Sequence, residues 1–108
     1  MADHTTYMAD VKKYDESVDE TAVAGIVKHL GIALQKRDSS LVSCSDKSER
    51  DRVRDSWLKK KLGLTASDTE LDAAVQEVCQ QMSGDSSKER VTFYYLLAAK
   101  YGKLDALH

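Results

Sequence analysis

Apolar residues recur along this chain at steps of three and four, and no stretch alternates apolar and polar long enough to make a convincing strand. The clearest case is residues 68–82, where Leu71, Ala74, Val75, Val78, Cys79 and Met82 line one side of a helix. The same periodicity predicts helices over about 18–36, 46–62 and 87–101. A shorter one is predicted near 6–15, where Tyr7, Met8, Val11 and Tyr14 share a face.

Proline is absent, so helix ends must be set by caps and glycines. Ser17 with Glu20, Asp46 with Glu49, Ser67 with Glu70 and Ser86 with Glu89 each place a capping oxygen three residues before a glutamate. Gly63, Gly84 and Gly102 follow three of the periodic segments and are expected to close them.

Two segments are apolar nearly all round: "AVAGIVKHLGIAL" (22–34) and "FYYLLAA" (93–99). Such helices are central ones. The expectation is that the two pack on each other, with Gly25 and Gly31, each costing about 1 kcal/mol inside a helix, explained by close backbone approach between them. Residues 37–45 then cross from the first central helix to the charged one, with Leu41 and Val42 as apolar anchors. The fold class is therefore all-α: a compact single-domain bundle of about five helices, two of them central.

Composition agrees with this picture. A chain of 108 residues with 42% hydrophobic and 31% charged residues has the make-up of one globular domain. Sixteen Lys plus Arg against 18 Asp plus Glu give a net charge of −2, so no overall field draws the protein to nucleic acid or anionic lipid. No secretory leader or membrane-length apolar run is visible, and a cytoplasmic location is expected. In that reducing setting Cys44 and Cys79 read as free thiols. Met-Ala-Asp occurs at residue 1 and again at residue 8, so residues 1–7 read as a disordered extension ahead of a second start.

The helix "DKSERDRVRDSWLKKK" holds seven basic and four acidic residues in sixteen positions, acids early and three lysines last, an order that complements the helix dipole. Arg50, Arg54, Trp57 and Lys61 fall on one strip, and an aromatic flanked by cations suits an acidic protein partner or RNA bases. Docking onto the core is nevertheless the favoured reading of Trp57, with Val53 beside it, and a solvated face that of the remaining charges. "LKKKLGLTASDTELDAAVQEV" has the outline of a helix-turn-helix, but Asp68, Glu70 and Asp72 would repel phosphates where a recognition helix meets DNA, so DNA is not an expected partner.

Catalytic signals are weak. Cys44 lies in "RDSSLVSCSD" (37–46), where Asp38, Ser39, Ser43 and Ser45 can satisfy local backbone groups and only the cysteine lacks a specific structural need. An exposed Cys44 thiol near a cation, with His29 as partner, is the thiol or ligand-binding alternative. No local Cys/His pairing points to zinc, no glycine-rich phosphate loop is present, and no cofactor is expected. An enzyme is not the favoured reading. A further alternative is self-association through the tyrosine-rich residues 93–101.

The strings "DVKKYD" (10–15), "IVKHLGIAL" (26–34), "RDSSLVSCSD" (37–46), "WLKKKLGL" (57–64) and "RVTFYYLLAAKYGKL" (90–104) resemble a family of small proteobacterial proteins, domain of unknown function 2853. The resemblance covers most of the chain and implies a compact bacterial cytoplasmic protein, without naming an activity. The reading that results is a helical protein-interaction module centred on the 46–62 helix, with RNA binding through the same strip and Cys44 chemistry as alternatives.

Overall fold

Five helices form in the computed structural model, which describes residues 4–35, 40–84 and 88–107. They are α1 (His4–Lys12), α2 (Glu20–Leu30), α3 (Lys47–Arg52, continuing as a π-helical segment over Val53–Lys61), α4 (Asp68–Gln81) and α5 (Arg90–Lys100). A 3-10 turn follows α2 at Gly31–Gln35, and another closes the chain at Leu104–Leu107. The described residues contain no named strand, only an isolated antiparallel bridge between Leu41 and Glu89. The all-α bundle read from periodicity is what forms. Helix α1 begins at His4, inside the stretch expected as an extension, and its Tyr7 and Met8 pack against the core.

The caps partly follow the predicted spacing. Ser67 accepts from the Glu70 N–H at 3.3 Å and starts α4. Asp19, not Ser17, starts α2, accepting from the Ala22 N–H at 3.1 Å. Asp46 starts α3 through the Ser48 N–H, which frees Glu49 for a different partner. Ser86 lies outside the described residues.

Helix α5 is central, as its composition requires: Arg90 through Ala98 are all buried. Helix α2 packs on it by one face only, burying Ala22, Val23, Ile26 and Val27 while Lys28 and His29 face out. The glycine expectation needs correcting. A Cβ on Gly25 would collide with the carbonyl of Leu107, so the close approach is to the C-terminal turn and not to α5. Gly31 has φ 45°, a conformation that glycine adopts without steric cost, and caps α2 at Leu30, six residues before the end that periodicity alone suggests. Gly63 and Gly102 do take the left-handed conformation expected of them, whereas Gly84 does not.

The π segment has a sequence cause. Val53 and Leu62 are nine positions apart, which puts them on opposite sides of an α-helix at 3.6 residues per turn. The wider π turn, in which the Leu62 N–H reaches the Trp57 carbonyl five residues back at 2.9 Å, brings Val53, Trp57, Leu58 and Leu62 to the same buried side. Ser56 adds a hydroxyl bond to the Arg52 carbonyl at 2.6 Å.

The crossing from α2 to α3 is pinned at several points. Val42 is buried and its N–H donates to the Lys88 carbonyl at 2.8 Å. Arg90 reaches back to the Leu41 carbonyl (3.1 Å) and the Tyr94 hydroxyl (3.2 Å), and pairs with Glu49 out of solvent. The loop anchored in this way also reaches α4. There Cys44 and Cys79, 35 residues apart in sequence, meet with Cα atoms 5.9 Å apart and form a disulfide. The expectation of free thiols is thereby overturned: spacing in sequence hid a proximity that the crossing creates.

Candidate functional site

The strip Arg50, Arg54, Trp57 and Lys61 is divided by the fold into four different environments. Trp57 has no exposed surface; its indole N–H donates to the Tyr94 carbonyl at 3.1 Å and its ring stacks on Tyr94 with centroids 4.5 Å apart. It is the docking residue of α3, the role favoured for it from the sequence, and the candidate strip is left without an exposed aromatic. The burial has a physical reason: Trp57 is the largest apolar side chain available on an otherwise charged helix, and the π turn rotates it inward.

Arg54 is exposed in part but already neutralised. Its guanidinium meets Asp55 at 2.9 Å, Asp72 at 3.0 Å and Asp51 at 3.4 Å, and the bonds to Asp55 and then Asp72 push its pKa up. The same lattice holds Asp55 below the usual carboxylate range, mainly through Arg54, and Asp51 likewise, mainly through Lys47. Lys59 pairs with Asp68 and lies 3.7 Å from Asp55, contacts that raise its pKa. Together Arg54 and Lys59 strap α3 to the start of α4 through Asp72 and Asp68, and Asp68 and Glu70 in its first turn also complement the helix dipole. Arg50 donates to the Cys44 carbonyl at 2.6 Å and holds the loop.

Lys61 remains. It is exposed and has no hydrogen-bond or ion-pair partner among the described residues, and the same holds for Lys60 and for Lys28 on α2. Lys61 stands close enough to His29 to lower its pKa, although partial burial of the imidazole is the larger cause. The His29 ring lies 5.4 Å from that of Trp57 and is tilted 48° to it. His29 therefore links the exposed end of α2 to Lys61 and Trp57 of α3, with the exposed Lys28 and Lys60 as the chain neighbours of His29 and Lys61. Sequence reasoning found Lys61 but missed its neighbours, because Lys28 and His29 were read as interruptions in a central helix. Their adjacency to each other on an otherwise apolar segment was the available signal.

Other candidate chemistry does not assemble. Cys44 is in the disulfide, and His29 contacts Trp57 and Lys61. No group of three His, Cys, Asp or Glu side chains suited to a metal occurs among the described residues. A hollow of about 330 Å³ bordered by Tyr14, Asp15, Glu77, Val78 and Lys100 has its charges engaged: Asp15 accepts from Tyr95, and Glu77 pairs with Lys100. A second hollow, of about 380 Å³, lies between Asp55, Ser56, Lys59 and Lys60. Residues 93–98, the centre of the tyrosine-rich segment considered for self-association, are covered within the chain.

Fold and surface together define a small all-α bundle whose most charged helix is docked through a buried tryptophan. No helix among the described residues is long and apolar enough to cross a membrane. The family model of a protein of unknown function, DUF2853, matches residues 6–105. The chain belongs to that family, as its signature strings implied. No match is found among curated proteins.

Proposed function

We propose that the protein is a non-catalytic interaction module that binds an acidic segment of another protein at the edge formed by Lys28, His29, Lys60 and Lys61. The observation supporting this reading is that the other lysines and arginines of α3 are committed to partners within the chain, while Lys28, Lys60 and Lys61 have none among the described residues. Cations left unpaired at the surface are free to meet a partner's carboxylates without first breaking an internal contact. Such a rim steers encounter and register more than it supplies raw affinity.

An acidic protein fits better than RNA. Base recognition without sequence specificity depends on exposed rings for stacking, and Trp57 is enclosed. Three lysines within a chain of net charge −2 also make a small footprint for a polyphosphate backbone. His29, with its pKa lowered, is neutral at neutral pH and presents a hydrogen-bonding ring between the lysines.

The test is fluorescence anisotropy with a labelled glutamate-rich peptide and, in parallel, a labelled single-stranded RNA. The wild-type chain is compared with Lys28→Glu/Lys61→Glu at low and raised salt. The expected result is salt-sensitive binding of the peptide that the double variant loses, with RNA bound more weakly. Equal binding by both proteins would remove the edge from consideration, and tighter RNA binding would favour the nucleic-acid reading.

A further inference from the structure

We infer that the Cys44–Cys79 disulfide is a thiol–disulfide exchange site of fixed polarity, opened in the folded protein by attack of a dithiol reductant on the sulfur of Cys44. This inference concerns a different face from the basic edge and does not depend on it. Cys44 lies on the loop and is partly exposed, whereas Cys79 is 8% exposed on the inward face of α4 among Val75, Val78 and Met82. Cys44 is thus the more exposed residue of the pair, and exchange rates depend on which sulfur is attacked. Arg50 places a permanent cation on the carbonyl of Cys44, and no carboxylate claims that guanidinium among the described residues. A cation beside the attacked residue attracts the incoming thiolate and favours the thiolate form of Cys44 once it is released.

The reaction balances as follows. The reductant thiolate forms a bond to Cys44 Sγ, the Cys44–Cys79 bond breaks, and the electron pair leaves on Cys79, which takes up a proton. The second thiol of the reductant then displaces Cys44 by closing its own disulfide, and Cys44 is protonated in turn. Two electrons and two protons pass from the dithiol to the protein.

The change is local because, among the described residues, ion pairs and a shared apolar core also hold the α3 region to α4. The ion pairs Arg54–Asp72 and Lys59–Asp68 hold the rest of α3 in place. Reduction loosens the segment around Cys44 that lies between the anchors at Val42 and Glu49, and leaves the α5 core closed.

The experiment uses the oxidised full-length chain under native conditions. It is exposed briefly to glutathione as a monothiol probe, quenched in acid and alkylated, and the cysteine-bearing peptides are read by mass spectrometry. In parallel, reduction by dithiothreitol is followed against reductant concentration, and amide hydrogen exchange is compared before and after. Expected are glutathione on Cys44 with the alkyl group on Cys79, a rate proportional to dithiothreitol, and faster exchange confined to the loop and the first turn of α3. The adduct on Cys79, equal adducts, or a rate independent of reductant (opening only by unfolding) would overturn the inference. So would loss of protection throughout the chain, or a purified air-oxidised protein whose two thiols alkylate freely.

Discussion

Gly25 sits in the middle of α2, and an alanine there should by helix propensity alone stabilise the protein by about 1 kcal/mol. The structure predicts the opposite sign. A Cβ at this position would overlap the Leu107 carbonyl and lie 3.1 Å from its carbon, against backbone that cannot rotate away as a side-chain tip would. The only relief is for the Leu104–Leu107 turn to lift off α2. Leu107 is 6% exposed, and returning such a side chain to water costs roughly 1.5–3 kcal/mol. Set against the propensity gain, Gly25→Ala is expected to destabilise the chain by about 0.5–2 kcal/mol. Urea denaturation followed by Trp57 fluorescence and by helical circular dichroism measures this. A chain ending at Lys103 supplies the control, since with the turn absent the same substitution should become stabilising by up to about 1 kcal/mol. If Gly25→Ala stabilises the full-length chain, the turn does not pack on α2 as described and the reasoning fails.

Other consequences are equally direct. Reducing the disulfide, or replacing both cysteines by alanine, should cost about 4 kcal/mol, the loop-closure value for a sequence separation of 35, and lower Tm by roughly 15–20 °C in a scan of oxidised against reduced protein. Glu49→Ala should cost about 3–5 kcal/mol because it strands the Arg90 charge, whose side chain is 8% exposed, and Glu49→Leu with Arg90→Met should recover much of that loss in urea titrations. Burial, with the Asp15 and Asp19 carboxylates nearby, pushes the Tyr95 phenol up to about 12. The folded state therefore favours the neutral ring, and this contribution is complete below pH 10.0 and disappears as the pH rises toward 12. Ultraviolet titration should lose its last-ionising tyrosine in Tyr95→Phe, with Tyr7 and Tyr101 raised less, and the substitution should also loosen the start of α2, whose Asp19 N–H donates to the hydroxyl at 2.9 Å.

How much of this was legible beforehand follows from the range of each interaction. The stripe of α4 and the enclosure of α5 depend on periodicity within a dozen residues, and both formed where they were read. Ser67 as a cap and Gly63 and Gly102 as stops are equally local. What escaped depends on contacts distant in sequence. The collision at Gly25 needs Leu107, the disulfide needs the loop to be anchored at Lys88 and Arg90, and Glu49 leaves its capping box for Arg90, 41 positions away. The π turn was hidden for a related reason, since a search at steps of three and four treats Val53 and Leu62 as opposed when a wider turn aligns them.

The candidate surface shows the same division. Lys61 was identified because a charged helix face is visible in one segment. Trp57 shares that strip by spacing, and its docking, the favoured reading, is what the buried ring shows. With the ring turned inward, the candidate surface moves to the edge shared with Lys28 and His29.

The central claim is best tested by affinity capture from a native lysate with nuclease present, comparing the wild-type chain with Lys28→Glu/Lys61→Glu at low and high salt. The account predicts a protein with an acidic segment that is retained by the wild type, released by salt and missed by the variant. Capture of the same proteins by both chains, or capture that vanishes with nuclease, would contradict it.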